Sequence, residues 1–242
     1  MVITTTPDPD QALLRLMQLV SPALPVGAFS YSEGLEALQQ AGELGSAAAL
    51  QAWLQAELQR GSIAIETAAL SELMQLIARL RAGEHSAAEA LAERDGWLLA
   101  QREAAEVRAQ QRQMGGSLLQ LLNDLCGPLL PPGSPARCDA LLRTLTWPAA
   151  FAWAGVCAQL ASPLLEQAYL YGWTANQISA AVRLVPLGPT EGQRLQWQLA
   201  PLIAARAEQL AAAAASALWS GGVGAGLAQL QHAELYSRLF RS

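Results

Sequence analysis

The sequence predicts an all-α protein, a single-domain bundle of roughly eight to ten helices spanning 1–242. Three observations carry this. Apolar residues recur at the helical period along nearly the whole chain. Alanine and leucine fill positions where a sheet would want valine, isoleucine and threonine. The stretches between periodic runs hold the capping and breaking residues of helix ends. The one strand-like run, ITTT at 3–6, has no partner of similar character.

Each element follows from local signals. Residues 11–19 offer Leu13, Leu14, Leu16 and Met17 as one broad apolar face, and Pro22 and Pro25 end that helix. SYSEGLEAL places Ser30 and Glu33 at capping-box spacing ahead of Leu35 and Leu38. Ser46 opens a long helix toward Leu80, with Gly61 as its break. Ser86 and Glu89 repeat the capping box before a charged helix running through Gln110, where Glu93, Arg94, Glu103, Glu106 and Arg108 mark a wet face. In RQMGGSLLQLLNDL, Gly115 and Gly116 either break the helix or admit another backbone. CGPLLPPGSP is the clearest loop, but the half beyond it is too apolar to stand alone, so one domain is expected. Thr174 with Gln177 and Thr190 with Gln193 supply two further capping boxes.

One run imitates a membrane span, the uncharged stretch 144–165. Pro148 and Pro163 suit helix starts, and Gln159 is costly in hydrocarbon. A buried helix of a bundle is the better reading, and no membrane association is expected.

Composition narrows function. The chain is 52% hydrophobic and only 14% charged, against about 25% charge in ordinary soluble domains, so its surface is unusually apolar or partly covered by partners. A net charge of -5 with no basic block removes the electrostatic basis for nucleic-acid binding. Cys126, Cys138 and Cys157 have no short paired spacing and read as buried free thiols. Asp8 and Asp10 stand where an export signal needs positive charge, which points to the cytoplasm.

The stretch AVRLVPLGPTEGQR, 181–194, holds two glycines and two arginines. A phosphate cradle needs converging N–H groups and a GK[ST] sequence. All 15 basic residues are arginine, so there is no lysine, and Pro189 removes an N–H. The stretch instead reads as a helix joint, with Gly188 giving the turn and Arg183 or Arg194 free to make a contact. The only histidines, His85 and His232, lack companion ligands. No preformed metal site is therefore expected in one monomer, and His232 is the sole candidate ligand. Ser30 and Ser117 lie in cap and glycine settings that need no catalysis, and Glu103 with Glu106 is an outer-face carboxylate pair. The terminus HAELYSRLFRS joins Tyr236, Leu239 and Phe240 to Arg238 and Arg241, residue types that concentrate binding energy at interfaces. It docks either on its own domain or on a partner.

Four blocks, LMQLVSPALPVGAFSYSEGLE (16–36), RQMGGSLL (112–119), YLYGWTANQISAAVRLVPLGPTEGQR (169–194) and YSRLFRS (236–242), resemble the urease accessory protein UreF family, in family order across nearly the whole chain. The resemblance implies a non-catalytic assembly factor that forms homodimers and binds a UreD/UreH-type partner. That complex recruits a UreG-type GTPase, and the assembly delivers nickel to apo-urease. Nickel and GTP then belong to the assembled complex, and this chain holds no cofactor itself. Pro189 departs from the glutamine usual in the family's PLGQTxGQ block, so any contact made by that glutamine is absent. His232 matches a family histidine, Glu234 matches the neighbouring acid only loosely, and Tyr236, Arg238, Leu239, Phe240 and Arg241 correspond directly. Partner contact is thus expected at those five residues and at Arg183, Gly188 and Arg194, with the termini, about 1–9 and 228–242, loose until bound. The competing readings are a small-molecule-binding helical protein or enzyme with an unrecognised pocket, and a membrane-associated protein built on 144–165.

Overall fold

The structure of the protein, a computed structural model, describes residues 9–242. The strand-like run at 3–6 lies outside those residues, as do Asp8 and most of the N-terminal segment. Among the described residues there are eleven α-helices, two 3-10 turns and no strand. The helices are α1 (Pro9–Leu19), α2 (Leu35–Gln40), α3 (Ala47–Arg60), α4 (Ser62–Arg81), α5 (Ala87–Ala100), α6 (Ala105–Cys126), α7 (Ala136–Leu142), α8 (Trp147–Ala158), α9 (Leu164–Leu184), α10 (Pro189–Ala211) and α11 (Val223–His232). The all-α expectation holds; the additional helices come from breaks that sequence periodicity passes over.

The long run after Ser46 divides at Gly61, as read from sequence. The Ser46 side chain accepts from the Ala49 N–H, which caps α3, while α4 begins immediately beyond Gly61. Helix α4 is the central post, packed against α3, α5, α8, α9 and α10. Helix α8 is its most buried neighbour, with Ala149, Ala150, Phe151, Ala152, Trp153 and Ala154 all inside. A helix apolar on every side is stable only when covered on every side. The uncharged run 144–165 is accordingly not one span: Gln159 ends α8 in the left-handed region, and α9 starts afresh at Leu164. No helix among the described residues is long and apolar enough to cross a membrane.

The four capping boxes are not used as caps, each for a physical reason. Ser30 belongs to a 3-10 turn, and α2 starts from Gly34 in the left-handed region (φ 91°) with no side-chain cap. Ser86 is itself helical in backbone and turns its hydroxyl to Glu84. Thr174 lies mid-way along α9, its hydroxyl donating to the Leu170 carbonyl, so the helix runs straight through. Helix α10 starts from Gly188 with Pro189 in its first turn, and Thr190 caps nothing. The charged helix expected through Gln110 is interrupted at 101–104, between α5 and α6.

Two further corrections concern faces. On α1 the side chains packed on the core are Ala12, Leu16 and Leu19, whereas Leu13, Leu14 and Met17 face solvent. Of the three cysteines only Cys138 is buried; Cys126 is exposed and Cys157 half-buried.

The glycine pair resolves in favour of close approach. Helix α6 continues through both residues, and a Cβ on Gly115 would stand 2.6 Å from the Thr146 carbonyl carbon. Gly116, one position round the helix, has open space. The two substitutions therefore act oppositely. Gly115→Ala forces α6 and the head of α8 apart and is expected to cost about 1–3 kcal/mol, whereas Gly116→Ala is expected to add about 0.5–1 kcal/mol through helix propensity. Denaturant unfolding of both variants checks the pair; equal effects contradict the packing described.

Candidate partner-binding site

A buried arginine organises the interior. The break between α5 and α6 turns Arg102 inward, where it is 4% exposed. Its Nε donates to Glu66 Oε1 at 2.7 Å, Nη2 lies at the same distance without hydrogen-bond alignment, and Nη1 is 3.8 Å from Glu33 Oε2. Glu66 also accepts from the Tyr169 hydroxyl at 2.8 Å and from Gln111. Glu33 accepts from Gln110 at 2.8 Å and from the Trp173 indole at 3.2 Å. Burial on its own would lower the pKa of Arg102, yet the Glu66 and Glu33 charges hold it above the usual arginine range. Burial raises Glu66, with Arg102 opposing, and raises the Tyr169 phenol, with the Glu66 charge adding to it.

Glu33 has a positive φ of 49° and is followed by left-handed Gly34. A Cβ at Gly34 would meet the Gln229 backbone nitrogen at 2.9 Å, so α11 lies directly over this turn. The turn sends the Glu33 side chain inward and leaves the backbone of Ser32 and Glu33, with the Glu36 carboxylate, facing the C-terminal segment.

That segment is seated there in detail. The Ser242 carbonyl accepts from the N–H groups of Ser32 and Glu33 and from the Ser32 hydroxyl. Glu36 accepts from the N–H groups of Leu239 at 2.6 Å and Phe240 at 3.0 Å. The Arg241 N–H donates to the Ser30 carbonyl. His232 is 0% exposed, its Nδ1 2.8 Å from Glu106 and its Nε2 3.3 Å from Glu36, and Glu106 also pairs with Arg238. Gln110 joins the two networks, donating to Glu33 and accepting from the Ser242 hydroxyl at 2.6 Å. Arg183 donates to the Phe29 carbonyl and lies over the Phe240 ring, 4.4 Å from its centroid.

The residues singled out in sequence thus divide. Arg183 and the tail come together. Phe240 is a buried anchor, not a free contact, because its ring fills a site under Arg183 and its N–H is held by Glu36. Tyr236 is fully exposed, and Arg238, Leu239 and Arg241 are exposed beside it. Gly188 and Arg194 are exposed at the start of α10. The tail expected to be loose is already docked, since its backbone donors and its last carbonyl have partners in the 30–36 segment. His232 spends both ring nitrogens on different carboxylates, which cannot converge on one ion, and no group of three ligand side chains able to hold a metal occurs among the described residues. Glu36, Glu66, Arg102 and Gln110 escape sequence reading, and Glu33, read there as a capping partner of Ser30, instead faces Arg102, Gln110 and Trp173. Glu66 carries a usable signal: it is a lone acid within SIAIETAAL, where an apolar stripe obliges it to find a cation.

The exposed side of this segment is apolar. Val223, Leu227 and Leu230 recur at i, i+4 and i+7 on α11, all solvent-facing, with Trp219 before them and Tyr236 and Leu239 after. A cleft of about 370 Å³ opens elsewhere, lined by Val20, Phe29, Tyr31, Trp147 and Trp173, and the Arg102–Glu33–Glu66 cluster forms its polar end. Those charges are already spent on one another.

Fold and site together define a class: an all-helical protein that braces its C-terminal segment from within and presents an apolar outer face. The chain belongs to the UreF family. The UreF family model matches residues 44–200. The chain is 44% identical to the urease accessory protein UreF of Thermosynechococcus vestitus over 96% of its length and 99% of that protein. It is 39% identical to the Nostoc UreF over 98% and 99%, and 40% identical to that of Alkalilimnicola ehrlichii over 99% and 100%.

Two other buried acids set a pH dependence. Burial pushes Glu57 up to about 7, with Arg102 opposing, and pushes Asp95 up to about 6, opposed by the two donors of Thr146. Folded pKa values above the unfolded ones mean that stability is fully present below pH 4 and is lost as pH rises through 6 and 7. These two groups are expected to cost about 3 kcal/mol each between pH 4 and 8. Denaturant unfolding across that range should show the decline, and Glu57→Gln with Asp95→Asn should flatten it. An unchanged pH slope in that double variant contradicts the assignment.

Proposed function

We propose that this chain is a non-catalytic assembly factor in urease maturation, forming a homodimer in the cytoplasm and binding a UreD/UreH-type accessory protein. The resulting complex recruits a UreG-type GTPase and serves nickel insertion into apo-urease, with GTP and nickel held by the assembly and not by this chain. Membership of the UreF family supports the reading. The observation that carries it is the solvent-facing apolar stripe of α11 and the tail, Trp219, Val223, Leu227, Leu230, Tyr236 and Leu239, fixed by buried anchors. A surface held rigid before contact loses little entropy on binding. Arg238 and Arg241 at its rim supply directional, charge-assisted contacts. The outward face of α1, with Leu13, Leu14 and Met17, leaves a second apolar surface for another copy of the chain.

The test separates surface from anchor. Tyr236→Ala with Leu239→Ser removes exposed apolar groups and is expected to leave the melting temperature within about 2 °C. The same change should weaken copurification with the UreD/UreH-type partner at least about tenfold. Phe240→Ala is expected to lower stability by about 3 kcal/mol instead. Full partner affinity in the double variant, measured on a normally folded protein, removes the tail from the interface.

A further inference from the structure

Helices α6 and α8 run side by side in the same direction. Gly115 of α6 meets the backbone of Leu145 and Thr146 at the head of α8. Eleven residues further along each helix (Cys126 after Gly115, Cys157 after Thr146), which is about three turns, the same register brings Cys126 beside Cys157, close enough to act on its thiol. Two contacts at the same offset fix the register of the pair. The backbone approach at one end that admits only glycine is matched by two sulfurs at the other. Both cysteines sit in the last turns of their helices, Cys126 ending α6 and Cys157 one residue from the end of α8. The thiols differ in access, Cys126 being exposed and Cys157 half-buried.

We propose that Cys126 and Cys157 are a reversible oxidation site, forming an intramolecular disulfide that ties the end of α6 to the end of α8. The oxidant is a hydroperoxide. The exposed Cys126 sulfur attacks the peroxide, an S–O bond forms as the O–O bond breaks, and water leaves with the thiol proton, giving a sulfenic acid. The Cys157 sulfur then attacks the Cys126 sulfur, an S–S bond forms, the S–O bond breaks and a second water leaves. Two thiols lose two electrons and two protons, and hydrogen peroxide becomes two waters. The order of attack follows from the surroundings. Burial above all pushes Cys157 up to about 11, so it keeps its proton at rest and serves as the resolving thiol. The Arg81 guanidinium opposes that shift and favours the thiolate as it forms. The bond closes a loop that carries α7 and the proline-rich stretch 127–135, which restricts the unfolded chain.

The test uses the full chain treated with hydrogen peroxide, followed by peptide mapping and thermal unfolding. A Cys126–Cys157 cross-linked peptide is expected, reversed by dithiothreitol, with the oxidised protein melting about 5–10 °C higher. Cys157→Ser should lose the cross-link and leave a dimedone-reactive Cys126, and Cys126→Ser should show neither. Oxidation that carries Cys126 to the sulfinic acid without a cross-link overturns the proposal, as does a disulfide between two chains. A cross-link that appears only after denaturation also overturns it, because the site is then absent from the fold.

Discussion

An arginine carried into a protein interior loses its water and must find carboxylates there, and the carboxylates it finds are then fixed in place. Arg102 imposes this on four parts of the chain at once. Glu66 comes from α4, Glu33 from the turn before α2, Gln110 and Gln111 from α6, and Tyr169 from α9. Desolvation makes such a cluster a poor source of net stability but severe to disrupt, because removing one member strands a charge. What the cluster secures is position. Glu33 is held inward at a backbone conformation that an L-residue rarely adopts, and every contact made by residues 32–36 depends on that turn.

The C-terminal segment is the chief beneficiary. Its carbonyl, its amides and its histidine are received by Ser32, Glu33, Glu36 and Glu106, and Gln110 connects this seating to the Arg102 cluster through one side-chain amide. Anchored on one side, the segment shows Tyr236 and Leu239 on the other, continuous in sequence with the apolar row of α11. An unusually uncharged chain thereby keeps part of its apolar surface outside in an ordered form. Monomeric proteins rarely carry such surface without a use for it. The thiol pair at the far end of α6 follows from the same helix: a register set at Gly115 against α8 is still in force at Cys126.

Much of the fold was legible in the sequence, because helical periodicity and an alanine–leucine composition are properties of the chain itself. The break at Gly61, the buried character of α8 and the joint at 185–188 all followed from residue chemistry. The cap at Ser46 followed as well; the four capping boxes did not. S/T-x-x-E/Q spacing occurs at Ser30, Ser86, Thr174 and Thr190; the first three boxes are claimed by other contacts, Glu33 most clearly by Arg102, and α10 starts ahead of Thr190, from Gly188. The tail was legible as a docking segment from its aromatics and arginines, and it docks on its own domain. Its division into buried Phe240 and exposed Tyr236 was not, since that depends on where Arg183 and Glu36 come to lie. Arg102 was illegible for a related reason: among the glutamates and arginines of 93–108 it looks like one more wet-face charge, and only the break at 101–104 turns it inward.

The central claim is that the C-terminal segment is seated on the free chain, so that its outer face exists before any partner arrives. Amide hydrogen exchange of the isolated protein tests this most directly. The account predicts that the Leu239, Phe240 and Arg241 amides, bonded to Glu36 and to the Ser30 carbonyl, exchange at least about a hundredfold more slowly than in an unstructured peptide, and that Glu36→Gln reduces this protection. Exchange of these three amides at unstructured rates in the partner-free chain would contradict it.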